Sequence, residues 1–152
     1  MRKQTQKHQL MVAAMLLAVG LLVYLLDRPA DRIYFIPDGW KFAMGAGQVF
    51  GPVGAYLPTF VHVVVFVLIS SVLLAPWHFR NMSICLLWFG IDSLFELAQH
   101  EAIATRVADI VPSWFEGVIF LENTSSYFLA GTFDPLDLLS IALGSIAAYL
   151  VL

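Results

Sequence analysis

One cysteine, Cys85, is the only thiol in this chain of 152 residues, so no intrachain disulfide can form. It sits inside an apolar run and reads as a packing residue. Charge is scarce as well. Asp, Glu, Lys and Arg make up 12% of the residues, against roughly 25% in a typical soluble domain. With 8 Lys and Arg against 11 Asp and Glu, there is no basic surface for nucleic acid. No internal repeat, low-complexity tract, phosphate-binding glycine loop or zinc-spaced cysteine set is present, which removes the functions those motifs carry. The Asn123-Thr124-Ser125 triplet matches a glycosylation acceptor, but a three-residue match arises too easily by chance to carry weight.

What is abundant is apolar surface, at 60% of the residues. The length suits one domain, and four apolar runs stand out: 10–26, 59–75, 82–98 and 138–152. A bilayer core about 30 Å thick asks for roughly 20 helical residues, with about 17 a workable minimum. Lipid cannot satisfy open backbone groups, so each run reads as a helix. The expectation is an all-α membrane protein: a single transmembrane domain over 1–152, with four transmembrane helices, an outward-facing polar cleft and interfacial outer loops at 27–58 and 100–135. Pro58 and Pro76 bracket the second run, as suits helix edges. The basic start "MRKQTQK" has the outline of a secretory leader, but its apolar run is long and Ala30 gives a poor cleavage site, so a retained helix is expected.

Basic residues orient the chain. Arg2, Lys3, Lys7 and Arg80 fall on one side with no carboxylate among them, and short basic loops favour the cytoplasm. The other side carries Arg28, Arg32, Lys41 and Arg106 on longer connections, where the rule is weaker. Both termini are therefore placed in the cytoplasm, with Trp77 near the inner interface and Tyr56 near the outer one. In the outer segments, the Gly-rich stretch 41–58 reads either as re-entrant or as lying on the bilayer, and Gly47 and Gly51 form a GxxxG pair. "EAIATRVADIV" and "SWFEGVIF" read as amphipathic at the interface.

The stretch "GIDSLFELAQHEA" holds the chemistry. At about 100° per residue, Asp92, Glu96 and Gln99 fall in an arc of roughly 60°, with His100 next to it. Cys85 and Trp88 extend the same face. A carboxylate at membrane depth costs at least about 2.5 kcal/mol, so the stripe should face protein or a wet cavity. Asp134 and Asp137 stand at the start of the fourth run. Asp134, just before Pro135, suits an N-cap and Asp137 the first turn. His62 is expected near the outer start of the second helix, at about the Glu96 level. Ser140, Gly144 and Ala148 make a small-residue seam for close helix packing.

"PTFVHVVVFVLISSVLL", "WFGIDSLFELAQ" and "FDPLDLLSIALGSIAAYLV" resemble the three core blocks of VanZ-like membrane proteins. That family's pattern has a His early in one helix, a Glu-x-x-Gln pair closing the next, and an Asp opening a last helix with a Gly seven residues on. His62, Glu96 with Gln99, and Asp137 with Gly144 occupy those positions here. The family's Arg before the Asp block is missing, and Ile141 stands where it has Asn. The resemblance implies a four-helix protein of the bacterial inner membrane. The family takes its name from a member linked to glycopeptide (teicoplanin) resistance, and the resemblance implies no particular reaction.

Three functions fit these residues. The favoured one is a non-enzymatic accessory protein that binds a lipid headgroup, an envelope-related ligand or a partner membrane protein at the outer face. Its partners are then membrane lipids and a larger membrane complex or further copies of itself, and it needs no cofactor. The second is a membrane hydrolase or transferase using the carboxylate and His cluster, with Glu96 and Asp137 as weak candidates for metal ligands. Proton or ion transport comes last, because no polar trail continues below Asp92 through "MSICLLWFG".

Overall fold

The computed structural model describes residues 2–27, 49–77, 80–119 and 121–152. Arg28, Arg32, Lys41, Gly47 and His78 lie outside the described residues, and with them most of the Gly-rich stretch. The described residues form helices and turns, with no strand. Three helices are long and apolar enough to cross a membrane, by length and composition. They are α1 (Arg2–Asp27), α2 (Val53–Leu74, continued by a 3-10 turn over Ala75–Trp77) and α3 (Asn81–Ala98). Two short helices follow, α4 (Glu101–Ile110) and α5 (Thr124–Ala130). The last is α6 (Pro135–Val151), apolar but only 17 residues long.

Helix boundaries depart from the apolar runs for local reasons. α1 begins at Arg2 because the polar residues before position 10 are mostly Lys and Gln, which are good helix formers. It ends at Asp27, two residues before Pro29, whose ring disfavours the helical conformation in the residue preceding it. Both oxygens of Asp27 then accept backbone hydrogen bonds across the connection, from Val49 N at 2.7 Å and Phe50 N at 3.0 Å. α2 starts at Val53, six residues earlier than the apolar run, so Pro58 lies inside the helix and not at its edge. The break that opens α2 is Gly51, whose φ of 55° belongs to the left-handed region, followed by Pro52. Membrane helices tolerate an internal proline, because local adjustment re-satisfies the freed carbonyl.

α2 is the central helix. Within its apolar window 44% of residues are buried, against 22% in α1 and in α3. Val61, Val63, Val64, Val65, Val67 and Leu68 are all buried, and the helix touches α1, α3 and α6. β-branched residues suit this position, because their single preferred rotamer loses little on packing. The outer helices bury narrow stripes and leave large apolar side chains such as Leu21, Leu86, Leu94 and Leu150 exposed. Such a surface suits a lipid solvent.

Close approach is set by small residues. Gly20 of α1 lies against Val61. Gly144 and Ala148 of the predicted seam are buried, while Ser140 is half-buried. A methyl group added at Gly144 would meet the Phe60 carbonyl oxygen at 2.8 Å and Val63 Cβ at 3.2 Å. Gly90 of α3 has nothing within 4 Å. Gly144→Leu is therefore expected to destabilise the bundle by about 1–3 kcal/mol. Gly90→Ala should be neutral or stabilising by up to about 1 kcal/mol. Unfolding midpoints of the two variants in detergent check the contrast.

Candidate functional site

The polar residues of α3 meet partners on α2, α5 and α6. Deepest is Asp92, 8% exposed, whose Oδ2 lies 3.1 Å from His62 Nδ1 on α2. His62 is half exposed. Its ring lies 4.3 Å from that of Phe66, which is 4.6 Å from Trp88, and Trp88 Nε1 donates to Ser70 Oγ at 2.9 Å. The α2–α3 interface is thus a ladder. His62, Phe66 and Ser70 recur every fourth residue on one helix and face Trp88 and Asp92 on the other. His62, expected level with Glu96, pairs with Asp92, one helical turn earlier on α3, while Thr59, three residues before His62, is the α2 residue that meets Asp137 at the start of α6.

Glu96, 7% exposed, accepts through Oε1 from the backbone N–H of Asp134 at 2.7 Å. Asp134 is the N-cap of α6, and its own side chain accepts from Leu136 N at 2.9 Å. In a capping box, the acid at the third helical position reaches back to the N-cap N–H. That position in α6 is Asp137, and its Oδ1 accepts from Thr59 Oγ1 of α2 at 2.7 Å. Glu96 supplies the missing carboxylate from another helix. Gln99, also buried, bridges from Glu96 Oε2 at 3.5 Å to the Tyr127 phenol oxygen at 2.9 Å. Gly131 leaves the room Gln99 occupies, since a Cβ there would overlap the Gln99 amide and the Tyr127 carbonyl. The Tyr56 phenol lies beside Asp134 and Asp137. Burial, with smaller contributions from Tyr24 and Glu96, pushes the Tyr127 phenol above its ordinary range and keeps it protonated.

His100 does not join this group. α3 ends at Ala98 and the His100 backbone is extended (φ −64°, ψ 130°), so helical spacing no longer places its side chain on the stripe. Its Nδ1 caps α4 by accepting from Ala102 N at 3.2 Å, and its ring packs near Phe133. Glu96 and Asp137, the weak metal candidates, each serve a different protein donor. Among the described residues no three His, Cys, Asp or Glu side chains are placed to share an ion. Thr59, Tyr56, Tyr127 and Gly131 are site residues the sequence reading missed. Thr59 had a signal, since it precedes His62 by one helical turn, whereas Tyr127 had none. No family model, no curated protein and no solved structure matches this chain.

Glu96→Ala leaves the Asp134 N–H without its acceptor and is expected to cost about 1–3 kcal/mol, with Glu96→Gln losing less because an amide oxygen still accepts. Thermal melts of the two variants check the order. The Tyr127 phenol gives a pH dependence. Its folded value lies above the unfolded 10.0, so the folded state alone keeps this proton above that pH. Stability therefore falls as pH rises past about 10, and Tyr127→Phe should flatten the fall. Unfolding midpoints at alkaline pH measure it.

Proposed function

We propose that this chain is a four-span, VanZ-like protein of the bacterial cytoplasmic membrane that binds a partner membrane protein and does not itself catalyse a reaction. The reading takes α6 as the fourth span. At 17 residues it measures about 25 Å, short of the full core, but its first turn is held to α2 and α3 by Asp137 and Glu96. Both termini are cytoplasmic in this reading. Arg2, Lys3, Lys7 and Arg80 then fall on the inner side, and 59–91 and 138–152 hold no Asp or Glu. In the same reading Asp27, Glu96, Asp134 and Asp137 fall toward the outer side.

The observation that carries the proposal is His62. It lies nine residues inside a 25-residue membrane-length segment, about 14 Å from its outer end. Asp92 occupies Nδ1, yet half of the side chain remains uncovered. Hydrocarbon offers an imidazole no hydrogen bond, so a polar group from another membrane segment is the fitting cover. The cleft of this protein is thus the groove between α2 and α3, with Phe66 beside His62 on its wall. A partner helix carrying a hydroxyl, amide or cationic side chain would fill it.

A photo-crosslinker replacing Phe66 tests this in native membranes. One adduct of discrete protein mass is expected, lost when His62 is changed to Leu. Adducts with lipid alone, unaltered by His62→Leu, would overturn the reading.

One observation favours a second reading as a hydrolase or transferase. A buried Asp holding His Nδ1, with the other ring nitrogen still to be partnered, is the arrangement of a general base. In reconstituted vesicles that reading predicts turnover of an envelope lipid, abolished by both His62→Gln and Asp92→Asn. Lipids unchanged by the wild-type protein would exclude it.

A further inference from the structure

The basic end of the bundle holds a second feature, separate from the polar cluster. A cavity of about 350 Å³ opens between the start of α3 and the end of α6, lined by Arg80, Asn81, Met82, Tyr149 and Leu152. We propose that it binds the phosphate of an anionic lipid headgroup from the surrounding leaflet. This inference rests on α3 and α6 crossing the bilayer, and not on any role of His62.

Four observations carry it. Arg80 is exposed and immediately precedes a membrane-length helix, which puts its guanidinium at headgroup level. The stretches 59–91 and 138–152, which supply both walls, hold no Asp or Glu. The planar fork of Arg matches two phosphate oxygens at once, and Asn81 and Tyr149, which also line the cavity, carry side chains able to donate. Met82 adds apolar surface beside these donors, which suits the glycerol of a lipid better than a free ion. Basic pockets between membrane helices on the cytoplasmic side are a recurrent means of holding acidic headgroups. A headgroup that carries its own ammonium should bind less well, because that charge opposes Arg80.

Native mass spectrometry of the full chain, delipidated in neutral detergent and offered equal phosphatidylglycerol and phosphatidylcholine, provides the test. The wild type should retain phosphatidylglycerol about tenfold better. Arg80→Gln should remove that preference while its unfolding midpoint stays at the wild-type value. Tyr149→Phe should reduce it part-way. Equal retention of the two lipids by the wild type overturns the proposal. So does an undiminished preference in Arg80→Gln. An equal loss in a Lys3→Gln, Lys7→Gln variant would mean diffuse attraction to the basic end, and displacement by millimolar inorganic phosphate would mean a site for free anion. Either result also overturns it.

Discussion

The carboxylate of Glu96 joins α3 to the start of α6. It accepts the backbone N–H of Asp134 and so completes the cap of α6 from α3. The reason lies in α6 itself. The residue that would close the cap locally, Asp137, is turned instead toward Thr59 on α2. Two acids have in effect exchanged partners, and the exchange ties three helices at one level. Without it, the first turn of α6 would lose the bonds that hold it to α2 and α3. The small-residue seam then lets α6 settle close enough to α2 for the Phe60 carbonyl to exclude any side chain at position 144.

This arrangement separates two kinds of polar residue inside an apolar body. Glu96, Gln99, Asp137, Thr59 and Tyr127 are turned inward and serve one another. Their bonds are worth most where water is scarce, and losing one member leaves another stranded. His62 and Asp92 form a pair with a different character, because one partner is buried and the other is not. A site that must recognise something outside the chain needs such an asymmetry. The buried acid sets the ring's orientation, and the ring presents what is left of its hydrogen-bonding capacity.

Helices are the part of this fold most legible in the sequence. A long apolar run has one workable backbone solution in lipid, so α1, α2, α3 and α6 appear directly as strings of Leu, Val, Ile and Ala. The start of α6 is legible too, because Asp before Pro announces a cap. The start of α2 is not. Pro58 reads as an edge, yet the left-handed Gly51 opens the helix a turn and a half earlier. The level of His62 is not legible either, since its pairing with Asp92 depends on how α2 packs against α3. Helical spacing groups Asp92, Glu96 and Gln99 correctly only as far as the helix persists, and His100 falls beyond its end. Tyr127 is invisible because its seven-residue helix carries no apolar period and its contact with Gln99 depends on how α5 folds back over α3.

Asp27 has a different kind of consequence. By gripping the backbone at Val49 and Phe50, it staples the last turn of α1 to the approach of α2, and Gly54 fits beneath the same carboxylate. The two positions that flank residues 28–48 are therefore fastened to each other. Closing a longer excursion between them adds only about 0.6 kcal/mol per doubling of its length. With its flanks fastened in this way, a change in the length of that connection carries only a small cost in closure entropy for the helix pair.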